Sequence, residues 1–153
     1  MKRILLTASV LCGLIGLNTV FADDGQMHMG DQHHGMNMMD MRTSLGVTGE
    51  LKQHQLSNMR EHVEAIKAIV GLMSESKFEE ASKIAHDQLG LTPVMQGMCG
   101  MFHNENFEKL GIAFHKSGDE LGDTLKTKDT NASLRALNKT MQYCVECHAT
   151  YKQ

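Results

Sequence analysis

The stretch LRALNKTMQYCVECH, residues 134–148, decides the fold of this chain. Three apolar residues and two residues of its terminal motif recur at steps of three, four, three and four: Leu134, Leu137, Met141, Cys144 and His148. This spacing predicts an amphipathic helix, opened by Asp129 or Thr130. The pattern therefore places a cysteine and a histidine on the face that this last helix is expected to bury.

The last five residues of this stretch have the form C-x-x-C-H, which is typical of covalent attachment of c-type haem. Two thiols three residues apart lie on one helical turn, where each can form a thioether to a haem vinyl group. The adjacent His148 can then bind the iron as its proximal ligand. A redox-active Cys-x-x-Cys would be expected near a βαβ pattern, and a structural zinc site needs four ligands; the sequence offers neither. We therefore predict haem c at Cys144, Cys147 and His148.

Residues 1–22 have the form of a secretory signal peptide, with Lys2 and Arg3 before a mostly apolar run that ends in VFA. This run is shorter than the about 20 residues of a membrane span, and no later stretch is a better candidate. Cleavage after Ala22 leaves 131 of the 153 residues, with 13 basic and 18 acidic side chains. We expect one soluble domain exported to the periplasm, with no membrane span. This acidic balance argues against a nucleic-acid partner, which demands a basic face.

Residues 23–44 lack aliphatic periodicity and are expected to be disordered. They are rich in soft metal donors: Met27, His28, Met29, His33, His34, Met36, Met38, Met39 and Met41. Thioether sulfur selects Cu(I), and imidazole also suits copper, so this tail is a candidate copper-binding segment. The alternative is a flexible tail whose methionines are incidental or scavenge oxidants.

The predicted domain spans residues 45–153. Its first two helices differ in how clearly the sequence marks their ends. The first begins near Thr48 as its N-cap, and its apolar residues recur at steps of three and four: Leu56, Met59, Val63, Ile66, Val70 and Met73. The second begins with a capping box of Ser76 and Glu79 and ends at Gly90. Its apolar side consists of Phe78, Ala81, Ile84, Ala85 and Leu89.

Residues 90–103 are predicted to form a connection, since Pro93 does not continue the second helix. This connection holds several soft donors and apolar side chains: Met95, Met98, Cys99, Met101, Phe102 and His103. They could form a second metal site, but we favour a segment whose apolar residues cap the bundle. Cys99 has no intramolecular partner, which leaves an intermolecular disulfide, a metal ligand or, as we favour, a buried thiol.

The third helix is predicted from Asn104, as its N-cap, to about Leu125. Its buried side follows helical spacing: Phe107, Leu110, Phe114, Ser117, Leu121 and Leu125. Three glycines interrupt it at Gly111, Gly118 and Gly122, and each costs up to ~1 kcal/mol relative to alanine. A bulky group that approaches the backbone closely would explain them, and we expect that group to be haem.

Four amphipathic helices that end in the haem motif resemble the cytochrome c-prime family, over roughly residues 45–153. The specific part is CVECHATYK, because that family ends in C-x-x-C-H-x-x-Y followed by Arg or Lys. The resemblance implies an antiparallel up-down-up-down four-helix bundle, often a homodimer, with haem near the C-terminal helix. It also implies that Lys152 takes the place of the basic residue beside His148. The family's usual bulky aromatic between helices is absent, and the Met/His-rich tail is not part of its pattern.

Members of that family differ at the sixth coordination position of the iron. Some leave the position open and bind small gases such as nitric oxide, whereas others fill it with a methionine of the first helix and carry electrons. Met59 falls near the position that would face the iron, and His54 and His62 lie about one turn to either side as competing ligands. Ligation by methionine and histidine would raise the reduction potential.

Three functions follow as hypotheses. The leading one is a periplasmic haem protein that carries single electrons to or from an unidentified redox partner; no catalytic constellation stands out, so we do not expect an enzyme. The second is a five-coordinate haem protein that binds nitric oxide or other small gases. The third is copper handling by the tail and by residues 95–103, with the haem sensing or changing the redox state of copper.

Overall fold

The computed structural model describes residues 39–153, and the predicted signal peptide and most of the Met/His-rich segment lie outside them. The described chain is mostly helical, which confirms the all-α prediction. The helices are α1 (Gly49–Ser74), α2 (Phe78–Ile84), α3 (Pro93–Gly100), α4 (Glu105–Lys126) and α5 (Thr130–Thr150), and a π-helical segment (Ala85–Leu89) continues α2. Two short strands, β1 (Thr43–Ser44) and β2 (Tyr151–Lys152), pair in parallel. None of the helices in this part of the chain is both long and apolar enough to cross a membrane.

Helix α4 is the centre of the packing. It packs against α5, α2, the π-helical segment and α3, whereas α1 packs mainly against α2 and the π-helical segment. Helices α4 and α5 run antiparallel, since Thr140 bonds to the carbonyl of Ser117 while Lys139 pairs with Glu120. Within the described chain, α1 and α5 make little direct contact.

The helix starts show which local signals were interpreted correctly. Asn104 and Asp129 cap α4 and α5 as predicted, each accepting a hydrogen bond from the amide three residues later, at 3.0 and 2.9 Å. The capping box predicted for α2 is wrong, because Ser76 has a left-handed backbone (φ 59°) and Lys77 is the N-cap. The connection at residues 90–103 is not a plain loop either. Thr92 accepts from the amide of Met95, and the helix α3 follows with a proline at its start, a position that proline suits.

The buried face of α1 differs from the predicted one by a rotation of about one residue. Val63 is 67% exposed and Val70 is 48% exposed, although both belong to the predicted apolar side. The residues that α1 buries are Gln55, Asn58, His62, Ala65, Ile69 and Met73. Three of these are polar, whereas Leu56, Met59, Val63 and Ile66 of the predicted stripe line the cavity described below, so counting apolar residues identified the cavity side of α1 and not the side that it buries against the protein. The core that α1 shares with α2 contains small side chains, including Ala65 and Ala81, which let two helices approach closely.

The buried face of α5 also differs from the predicted stripe. Leu137 is buried as expected, but Leu134 is 49% exposed and Met141 is 44% exposed. Ser133 and Thr140 are fully buried in their place. Their hydroxyls donate to backbone carbonyls, Ser133 to Asp129 and Thr140 to Ser117, which satisfies the buried oxygens.

The three glycines of α4 contact protein groups that sequence inspection could not identify. A side chain at Gly111 would lie 2.8 Å from the sulfur of Cys99, and one at Gly118 would overlap the backbone of Leu89. A side chain at Gly122 would lie 2.5 Å from the ring of His86. The bulky neighbours of these glycines are therefore α3 and the π-helical segment, and the expectation that haem explains all three is wrong. Of the three, only Gly111 lines the cavity described below.

The two ends of the described chain pair with each other as short parallel strands. Thr43 and Ser44 of β1 pair with Tyr151 and Lys152, so the predicted disordered segment 23–44 contains at least two residues with regular structure. Lys152 Nζ donates to the carbonyl of Asp40 at 3.1 Å and lies 3.5 Å from its carboxylate. Residues 40–44 therefore lie beside the C-terminal end of α5.

Candidate functional site

A cavity of about 530 Å³ lies among α1, α3, α4 and α5. Its volume is within the range of about 300–1,000 Å³ typical of sites for small molecules and cofactors. The walls are mostly apolar, with Leu56, Ile66, Phe102, Phe107, Leu110 and Phe114 among the lining residues. This is the space that separates α1 from α5, so an occupant would contact both helices.

The C-x-x-C-H motif opens into this cavity. Cys144, Cys147 and His148 all line it from the last turns of α5, together with Tyr143. The two cysteines are half-buried, and neither forms a disulfide. His148 is exposed by overall area, so of the two motif residues predicted on the buried stripe, Cys144 is partly buried and His148 is not. The motif is nevertheless on the cavity side of α5.

The protonation of the two thiols bears on the rival explanations of the motif. Burial raises the pKa of Cys144, and it raises the pKa of Cys147 to about 11, with the nearby Cys144 and Cys99 adding to the second shift. A redox-active Cys-x-x-Cys needs a thiol whose pKa is lowered toward neutrality, which is the opposite direction. Among residues 39–153, no three or more His, Cys, Asp or Glu side chains are grouped to hold a metal ion, so a zinc site gains no support.

The residues around the cavity fit a haem group. Two neutral thiols and an imidazole on adjacent turns of α5 supply the donor set for covalent attachment and proximal ligation. The aromatic and aliphatic walls from α3 and α4 suit a large flat apolar body. A thioether, Met59, is available on α1.

Helix α1 contributes a thioether and several polar side chains to the wall. Met59 is half-buried and lines the cavity, as does the buried His62. His54 does not line it; this residue is exposed, and its Nε2 lies 3.4 Å from the sulfur of Met98. Of the three predicted sixth ligands, two therefore reach the cavity. Burial, followed by the nearby His115, lowers the pKa of His62 to about 4, so this imidazole is neutral at pH 7.

His115 is a cavity residue that sequence inspection missed. Its ring is buried, lies 5.0 Å from that of Phe114 and 5.5 Å from that of His62, and bonds through Nδ1 to the carbonyl of Leu89 at 2.9 Å. A neutral ring must donate in that bond, which fixes its tautomer; burial is the main cause of its lowered pKa. One signal could have found it: position 115 continues the glycine side of α4, at 111, 115, 118 and 122.

The soft donors of α3 divide between the cavity and the surface. Met95, Met98 and the buried Cys99 line the cavity, whereas Met101 is 51% exposed. Burial raises the pKa of Cys99, and the carboxylate of Glu108 raises it further. Cys99 is therefore a buried neutral thiol, in agreement with the favoured prediction. Phe102 is also buried, as expected for a segment that caps the helices.

Two basic residues lie at the C-terminal end of α5. Lys152, which the resemblance places beside His148, pairs with Asp40, and Arg42 Nη1 donates to the His148 carbonyl at 3.3 Å. Arg42 also forms an ion pair with Asp40 at 2.9 Å. This interaction holds the pKa of the Asp40 carboxyl well below its usual range.

The candidate copper residues lie almost entirely outside the described part of the chain. Only Met39 and Met41 fall within it, and they are 82% and 85% exposed. The others, Met27, His28, Met29, His33, His34, Met36 and Met38, precede residue 39. The geometry described above therefore concerns the haem site and not the copper hypothesis.

Comparisons with protein-family models, with curated proteins and with solved structures found no match. Function is therefore inferred from the residues around the cavity and from their chemistry.

Proposed function

We propose that this chain is an exported, periplasmic c-type haem protein that carries single electrons. One observation supports this function above all: Cys144, Cys147 and His148 line the same cavity as the thioether of Met59. The C-x-x-C-H sequence could also occur on an open surface, with no cavity beside it. Here the motif belongs to a largely apolar cavity of the volume that a cofactor needs.

Each residue has a distinct role in this proposal. Cys144 and Cys147 would hold the haem through thioethers, and His148 would bind its iron. Met59 would supply a thioether as a second ligand, which favours the reduced state and raises the reduction potential. When bound, haem supplies an iron that alternates between the ferric and ferrous states. The apolar walls exclude water, so the protein reorganises little when the charge changes.

The proposed architecture is an antiparallel up-down-up-down bundle of the cytochrome c-prime kind. Its four members would be α1, α2 with the π-helical segment, α4 and α5, with α3 as an additional helix in the connection. The antiparallel pairing of α4 and α5 supports this arrangement. We propose no enzymatic activity for it. Its partners would be a periplasmic redox protein and, through the outer faces of α1 and α2, a second copy of the chain.

Mass spectrometry of protein exported from a host that matures c-type cytochromes tests the attachment. The mature chain should be heavier by one haem, and Cys144→Ser with Cys147→Ser should abolish the increase. Cys99→Ser is the matched control, because Cys99 lines the same cavity without belonging to the motif. A secreted chain with the mass of its amino acids alone would refute the proposal.

Optical spectra then separate electron transfer from gas binding. A low-spin ferrous spectrum that changes on replacement of Met59 supports the electron carrier. A high-spin spectrum that Met59→Ala leaves unchanged, together with binding of nitric oxide, would favour the five-coordinate alternative instead.

We propose copper binding as a second function, on the basis of a separate contact. His54 Nε2 of α1 lies 3.4 Å from the sulfur of Met98 of α3, and this imidazole and thioether are donors of the kind that bind copper. The exposed Met39 and Met41 belong to the Met/His-rich segment. Deletion of residues 23–41 should lower copper tolerance of the host and leave the haem spectrum intact. Unchanged tolerance would remove this function.

A further inference from the structure

Helix α1 carries two donors for one coordination position. Met59 and His62 are three residues apart, a spacing that puts their side chains on neighbouring parts of one helix face. Both line the cavity that also contains the motif of α5. A group held between α1 and α5 therefore meets a thioether and an imidazole within one turn of the same helix.

The surroundings of His62 leave its imidazole nitrogens available to bind a metal. His62 is only 9% exposed, and its surroundings within residues 39–153 include ring contacts but no hydrogen bond to its nitrogens. The ring lies 4.9 Å from that of Phe114 in a tilted arrangement. Within the described chain, His86 Nε2 is the buried side-chain nitrogen without a partner, so the nitrogens of His62 reach the open space of the cavity, where an occupant can bind them.

His62 is one of several imidazoles near the cavity. The Nδ1 of His115 donates to the carbonyl of Leu89, which holds this ring against the π-helical segment. His54 is exposed and contacts the sulfur of Met98. His103 is exposed and does not line the cavity. Among these side chains, His62 is the one that both lines the cavity and lies on α1 within one turn of Met59.

We propose that His62 is a second iron ligand for the sixth position, able to bind in place of Met59. The inference rests on the proposed haem function and extends it by giving the protein two coordination states. The exchange replaces the bond from iron to the sulfur of Met59 by a bond from iron to a nitrogen of His62. It transfers no electron and no proton, since both donors are neutral. Imidazole ligation gives a lower potential than thioether ligation, so the exchange would tune the electron carrier.

Spectroscopy of the purified holoprotein tests this exchange. Met59→Leu should keep a low-spin spectrum in both oxidation states but lose the charge-transfer band of a ferric thioether complex. Adding His62→Leu to that variant should convert the spectrum to high spin, and added imidazole should restore low spin. The matched control is Met59→Leu with His54→Leu, which should retain the low-spin spectrum of Met59→Leu.

Two results would overturn the inference. In the first, Met59→Leu alone is already high spin and its spectrum equals that of the double variant. In the second, the double variant stays low spin, which would assign the sixth position to another residue. If the double variant does not fold, electron paramagnetic resonance of Met59→Leu decides, because two imidazole ligands and a high-spin iron give different signals. Failure of the haem proposal itself would appear earlier, as a missing haem mass in the wild-type protein.

Discussion

The close approach of α4 to the π-helical segment predicts opposite effects for two glycine-to-alanine changes. Alanine in a helix is favoured over glycine by up to ~1 kcal/mol, so Gly71→Ala should stabilise the protein by about that amount. Nothing lies within 4 Å of the position that its new methyl group would occupy. At Gly118, by contrast, a methyl group would overlap the carbonyl oxygen of Leu89 and lie 2.6 Å from its carbonyl carbon.

The expected cost at Gly118 follows from its neighbours. Backbone atoms cannot rotate away as the end of a flexible side chain can, so the overlap should cost about 1–3 kcal/mol of overpacking. The displaced carbonyl is also the one that accepts from His115, and loss of that bond costs about 1 kcal/mol. After the gain in helix propensity, we expect Gly118→Ala to lower the free energy of unfolding by about 1–3 kcal/mol.

Urea unfolding of the holoprotein, followed by circular dichroism, measures both variants under one condition. The slope of the transition should stay the same, so the midpoints report stability directly. Midpoints that rise together in Gly71→Ala and Gly118→Ala would refute the contact between α4 and the π-helical segment. Because His115 flanks the cavity, Gly118→Ala should also change the haem spectrum, whereas Gly71→Ala should not.

Three further predictions test the observed helix faces and the thiols. Ile69→Ala should cost about 2–5 kcal/mol because Ile69 is fully buried, while Val70→Ala, at a position 48% exposed and outside the cavity, should change the free energy of unfolding by less than about 0.5 kcal/mol; equal effects would contradict the rotation of α1. Thr140→Val should cost about 0.5–1.5 kcal/mol through the lost hydrogen bond to Ser117, whereas Met141→Ala should be near neutral, and chemical denaturation distinguishes them. Before haem is attached, Cys147, whose pKa burial raises to about 11, should react with an alkylating reagent much more slowly than free cysteine at pH 8. Its alkylation rate should rise with pH as the thiolate forms. Reaction at the rate of free cysteine would show that Cys147 is not buried.

Local signals determined a large part of this protein. Asn104 and Asp129 open α4 and α5 because a side-chain oxygen can satisfy a free amide within three residues, without help from distant groups. Gly90 ends the second helical stretch as predicted, but its backbone is extended (φ −68°) and Asp119 of α4 lies where a side chain would be, so its role depends partly on a distant residue. The C-x-x-C-H motif is also local, since its chemistry needs only two sulfurs and an imidazole on adjacent turns. The sequence thus predicted the all-α class, most of the helix ends and the residues of the motif.

Which face each helix buries was decided only by the tertiary structure. On α1 the buried Asn58 and His62 line a cavity, and on α5 Ser133 and Thr140 satisfy their hydroxyls on backbone carbonyls. A pattern that counts apolar residues cannot recognise such positions, because the groups that satisfy them come from elsewhere in the chain or from the helix backbone. For the same reason the sequence pattern did not identify His115, whose hydrogen-bond partner, the carbonyl of Leu89, is 26 residues away. Burial of polar groups depends on distant partners, and those partners exist only once the helices have packed.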